Sequence, residues 1–174
     1  HDHGRVLMAL GRRAEAQAAQ RAAAEAAPHG RRSFHLWCLA TMQASDGDLE
    51  GALATLADAR RVATRDAALL EAHAAWISLR LDRGVPDLAG VARRLRASPN
   101  REGYGQFLLG VLADALGDVR TAPVHLRAFL RRNASIDDAK RVTLAEELAA
   151  ARAILARLAP SDCRAGPSGS VTGA

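Results

Sequence analysis

The chain has 174 residues, enough for one compact domain or one short repeat array and short for two full domains. Apolar residues make up 49% and charged residues 25%, which excludes a wholly disordered chain, and no apolar run approaches the roughly 18 residues that a membrane span needs. The net charge of +5 comes from 23 Arg with Lys140 as the single Lys, spread along the chain instead of forming one block, so it permits an acidic partner or a nucleic-acid backbone and requires neither.

Forty Ala and few β-branched residues favour helices over sheets, so an all-α fold is expected. Gly11, Gly47, Gly84 and Gly117 each precede an Ala- and Leu-rich segment, at separations of 36, 37 and 33 residues. That period suits two helices of about four turns joined by short turns. The predicted hairpins span about 3–28, 33–63, 66–97 and 101–132. The first has only half a leading helix before Gly11, so the chain reads as a fragment or processed product of a longer protein, with an open N-terminal face available for self-association. In the second, Leu36, Leu39, Ala40 and Gln43 follow helical spacing, as do Leu49, Ala52, Leu53, Leu56 and Ala59. The third places Pro86 in the first turn of its second helix and stops at Ser98-Pro99-Asn100. The fourth runs over 101–116 and 119–132, with Pro123 in a first turn, where a missing N–H is tolerated. One closing helix is predicted over 137–158, with Ser135 and Asp138 as a capping box. The segment 159–174 has the composition of a disordered tail.

These residues resemble tetratricopeptide (TPR) repeats, whose roughly 34-residue unit alternates large and small packing positions around a turn Gly. With Ser33 opening the unit, Leu36, Leu39 and Ala40 take the first-helix slots, Gly47-Asp48 the turn, and Ala52, Leu56 and Ala59 the second helix. From Gly103 the pattern returns as Leu109-Gly110, Gly117-Asp118, Ala122 and Leu126. Gly11, Ala16, Ala23 and Pro28 fit the first unit. The chain departs from the pattern at Gln43, Gln106, Ala113 and Phe129, and Gly84 arrives about two residues late, after Ala75 and Trp76 take first-helix slots. The resemblance implies a right-handed superhelix, an α-solenoid of three to four hairpins with a C-terminal capping helix. It also implies a concave groove lined by Phe34, Trp37, Thr41, Tyr104, Phe107 and Asp114, a set rich enough in aromatics for a binding hot spot. The chaperone-binding subtype needs Lys and Asn in that groove, whereas Lys140, Asn100 and Asn133 lie elsewhere.

Little else points to chemistry. His1-Asp2-His3 is the one cluster of metal-type ligands, at a terminus. His29, His35, His73 and His125 lack partners at ligand or triad spacing, and Glu146-Glu147 and Asp137-Asp138 are adjacent pairs that point apart on a helix. Cys38 and Cys163 stand in dissimilar contexts, so no disulfide framework is expected. No catalytic residue, metal, cofactor, small-molecule substrate or membrane partner is expected, and a cytoplasmic location is. Arg60-Arg61, Arg93-Arg94-Arg96 and Arg131-Arg132 close predicted helices, where cations complement the helix dipole. The expected function is a non-catalytic scaffold or adaptor that takes a peptide or helix of a protein partner in its groove. The alternatives are a regulatory or docking segment of a larger enzyme and an RNA-binding helical repeat.

Overall fold

The computed structural model describes residues 2–159, and all regular structure among them is helical. The elements are α1 (Asp2–Ala9), α2 (Arg13–Ala26), α3 (His29–Ser45), α4 (Leu49–Arg61), α5 (Ala67–Arg80), α6 (Leu88–Ala97), α7 (Tyr104–Ala115), α8 (Thr121–Arg132), α9 (Asp138–Thr143) and α10 (Ala145–Leu158), with a 3-10 turn at Pro99–Arg101. From α1 to α8 each helix packs on the next, and α10 packs on α7 and α8. The tail expected to be disordered falls outside the described residues beyond Ala159.

Four turns between paired helices share one hydrogen-bond pattern. The N–H of Arg12, Asp48, Arg83 and Asp118 reaches the carbonyl five residues back, on Leu7, Gln43, Ser78 and Ala113, at 2.8–2.9 Å. The residue before each donor is left-handed, as this helix-ending motif requires. Gly supplies that conformation at Gly11, Gly47 and Gly117, with φ of 73°, 84° and 74°. In the third hairpin Asp82 takes the position instead, at φ 53°, and Gly84 lies two residues beyond it. The late Gly is therefore displaced from the turn it was expected to make.

Other boundaries also differ from the sequence reading. Pro86 lies outside α6, because Asp87 caps that helix by accepting from the Gly90 N–H at 3.0 Å. The fourth hairpin opens at Tyr104, after the 3-10 turn has used the preceding residues. Asp137, not Ser135, caps the closing segment, accepting from the Lys140 N–H at 2.7 Å. That segment is two helices instead of one. The chain leaves helical geometry at Leu144 (φ −110°, ψ 13°), just after the weak helix formers Val142 and Thr143. The Thr143 hydroxyl donates to the Lys140 carbonyl at 2.9 Å. The break gives each half its own partner: α9 packs on α1 and α3, and α10 on α7 and α8.

The core runs along the array. Leu56, Leu70, Ile77, Leu95, Phe107, Leu108, Leu112, Leu126 and Phe129 are fully buried within it. Each such side chain contributes about 1.5–3 kcal/mol on burial. Small residues set the helix spacing: a Cβ at Gly110 of α7 would lie 2.5 Å from Leu126 Cγ of α8. A second cluster of Leu7, Met8, Ala16 and Met42 ties α1 to α2 and α3.

Candidate functional site

Of the six residues expected to line a groove, the first helices of the second and fourth hairpins bring four to a single cavity. Phe34, Trp37 and Thr41 of α3 and Tyr104 of α7 share a cavity of about 250 Å³ with residues of α1, α8 and α9. Phe34 is 37% exposed, whereas Trp37 and Thr41 are half-buried. The other two residues lie elsewhere. Phe107 is 0% exposed and belongs to the core, its ring 4.7 Å from that of Trp76 and 5.3 Å from that of Phe129. It sits on the α7 face that meets α5 and α8, so it is unavailable to a partner. Asp114 is half-buried and accepts from Arg157 of α10 at 2.6 Å.

Ion pairs likewise tie the closing segment, α9 and α10, to the preceding helices. Arg80 of α5 donates to Glu146 at 2.8 Å, while its guanidinium lies 5.2 Å from the centre of the Trp76 ring. Arg5 of α1 pairs with Asp137 at 3.2 Å. With the packing of α9 on α1 and α3 and of α10 on α7 and α8, these pairs fix the closing segment against the preceding helices, and α9 contributes one wall of the cavity.

Behind the cavity wall runs a chain of buried polar groups. The Trp37 indole N–H donates to His73 Nδ1 at 2.9 Å, the Tyr104 hydroxyl lies 3.4 Å from His73 Nε2, and that hydroxyl donates to Glu147 Oε1 at 2.9 Å. Indole nitrogen is a donor only, so His73 Nδ1 is an acceptor and the ring proton sits on Nε2, facing Tyr104. Burial pushes His73 down to about 3, with Arg80 adding to the effect, and keeps the ring neutral. Burial pushes Glu147 up to about 7, against the hydrogen bonds it accepts, and raises the Tyr104 phenol. Glu147 Oε2 is buried and has no hydrogen-bond partner among the described residues. Sequence reasoning missed this chain because its members lie on four different helices. The one signal for it was a His inside an otherwise apolar stretch of α5.

The remaining candidates are placed apart. Among the described residues no group of three or more His, Cys, Asp or Glu is arranged to hold a metal. His1 and the Asp2 side chain lie outside the described part. Burial pushes the Cys38 thiol up to about 12, and Cys163 lies outside the described residues. His125 Nδ1 lies 2.7 Å from Gln106 Oε1, and His35 Nδ1 lies 3.0 Å from Gln20 Nε2. Several arginines are engaged between helices, Arg94 with Glu71 at 2.9 Å, Arg60 with Glu71 at 3.8 Å and Arg13 with Asp46, and Arg94 also reaches Asp87, the cap of its own helix, at 3.2 Å. No helix among the described residues is long and apolar enough to cross a membrane. The chain matches no family model, and no curated protein or solved structure matches it.

Proposed function

We propose that the chain is a TPR-like helical-repeat module, a right-handed superhelix that serves as a non-catalytic scaffold and docks a peptide or helix of a protein partner on its inner face. The observation that carries this reading is the gathering of Phe34, Trp37, Thr41 and Tyr104 around one cavity, with Phe34 still open to solvent at its edge. An exposed aromatic beside a concave apolar site is the arrangement in which a few side chains supply most of a binding energy. The recurring left-handed turn and the close α7–α8 approach at Gly110 support the repeat reading.

The test is affinity capture from lysate with wild type, Phe34→Ala and Phe34→Asp in parallel, with thermal melts of each. Phe34 is the site residue least involved in the core, so its replacement should leave the melts unchanged. A protein retained by wild type and lost by Phe34→Asp supports docking here. Identical capture by all three rejects it, and retention that falls steeply with salt and depends on nucleic acid favours the RNA-binding alternative.

A further inference from the structure

The cavity between α1, α3, α7, α8 and α9 has an apolar body and a basic side. Met8, Trp37, Met42, Tyr104, Phe129 and Leu144 supply the apolar walls, while Arg5, Arg132 and Lys140 supply cations, and among the described residues no Asp or Glu lines it. Arg5 is engaged by Asp137. Arg132 and Lys140 have no carboxylate within ion-pair distance among the described residues, and the carboxylate nearest this side in an ion pair, Asp137, is taken by Arg5. Two cations without a carboxylate partner among the described residues, set against low-dielectric walls, leave a local positive potential that favours an anion.

From this combination we infer that the cavity binds a free small monocarboxylate, its apolar body against Trp37 and Phe129 and its carboxylate toward Lys140 and Arg132. Size sets the class. A cavity of about 150 Å³ takes benzene, so one of about 250 Å³ takes a ligand of about ten non-hydrogen atoms, the size of octanoate. A bare inorganic anion would meet the cations and leave the aromatic walls unfilled. An extended peptide would have to displace α9, which packs on α1 and α3 and is anchored by the Arg5–Asp137 pair. A ten-atom acid requires no such movement. This ligand goes beyond the docking proposed above: it lies inside the cavity whose edge Phe34 forms, and its binding stands or falls separately.

The experiment is titration of the full chain with octanoate and with 1-nonanol, which has the same number of non-hydrogen atoms and no charge, read by calorimetry and by Trp fluorescence. Octanoate should bind at one site at least tenfold more tightly than nonanol. The double variant Lys140→Gln/Arg132→Gln should lose at least tenfold for octanoate and leave nonanol unchanged. Thr41→Phe, which fills the cavity, should abolish binding of both. The Gln pair lies on the less buried side, so it tests the charge even where the Phe variant fails to fold. Octanoate no tighter than nonanol, no binding of either, or octanoate binding that survives Thr41→Phe in a folded protein overturns the inference. So does a hexapeptide with a free C-terminal Leu that binds in place of octanoate. Peptide binding would favour the docking reading instead; the other results leave the Phe34 capture, which tests the docking surface, untouched.

Discussion

The indole N–H of Trp37 on α3 donates to Nδ1 of His73 on α5 at 2.9 Å, and this one bond decides both the tautomer and the charge of a fully buried imidazole. A protonated ring would bring two donors face to face. Replacing the indole with Phe leaves Nδ1 buried without a donor, which costs about 1–3 kcal/mol. Trp37→Phe should lower the melting temperature accordingly. Nitrogen NMR of wild type should show Nδ1 unprotonated and Nε2 protonated, and the variant should lose that fixed tautomer.

The pH dependence of stability should show two buried groups working against each other. His73 is pushed down to about 3, so its contribution is present above the ordinary His range near 6.5 and is lost as pH falls toward 3. Glu147 is pushed up to about 7, so the native state holds a proton that the unfolded chain has released, and stability falls as pH rises from about 4.5 to 7. Between about 4.5 and 6.5 the two slopes, each up to ~1.4 kcal/mol per pH unit, largely cancel. The charged groups around them, Arg80 and Glu146, pair with each other. Glu147→Gln removes one slope. The variant should be more stable than wild type by ~1–3 kcal/mol at pH 8, equal to it near pH 4.5, and steeper in acid across the window. Denaturant unfolding at several pH values measures this, and a Glu147→Gln curve parallel to wild type contradicts the opposition.

Asp82 holds a left-handed conformation that Gly adopts in the three equivalent turns. It is exposed and forms no ion pair among the described residues, so nothing visible there offsets the backbone cost. Asp82→Gly should stabilise the protein by ~1 kcal/mol, and Gly47→Ala should destabilise it by a similar amount. Paired thermal melts give both signs in one experiment.

Gly110 is where α7 and α8 come closest. Gly110→Ala gains helix propensity of ~1 kcal/mol but drives a methyl to 2.5 Å from Leu126. The steric term should win, with a net loss of ~1–3 kcal/mol. The double variant Gly110→Ala/Leu126→Ala should lose less than the sum of the two single losses, because the methyl no longer meets Leu126, and a double-mutant cycle reads that difference directly.

Local signals carried most of the helical pattern. Turn glycines and small residues at hairpin contacts follow from backbone geometry and close approach, so Gly11, Gly47, Gly110 and Gly117 were legible in one dimension. Asp82 was not, because its left-handed conformation is imposed by the length of α5 and not by its own side chain. The candidate site was legible only in part. Phe34 and Trp37 share a helix face with the cavity, whereas Phe107 faces the core because Trp76 and Phe129, remote in sequence, enclose it. The break at Leu144 follows from where α9 and α10 find partners, and the buried chain from Trp37 to Glu147 requires helices that only tertiary packing brings together.

The contact between α1 and α9, pinned by Arg5 and Asp137 across 132 positions of sequence, changes how such a structure comes apart. In an array where each unit touches only its neighbours, unfolding starts at either end and the terminal units exchange their amide protons first. Here the first helix and the penultimate one clasp each other, while α10 is held separately on α7 and α8. Neither can fray without releasing the other, so α1, eight residues long, should share the exchange protection of α3, and loss of the clasp should convert one cooperative transition into a progressive one.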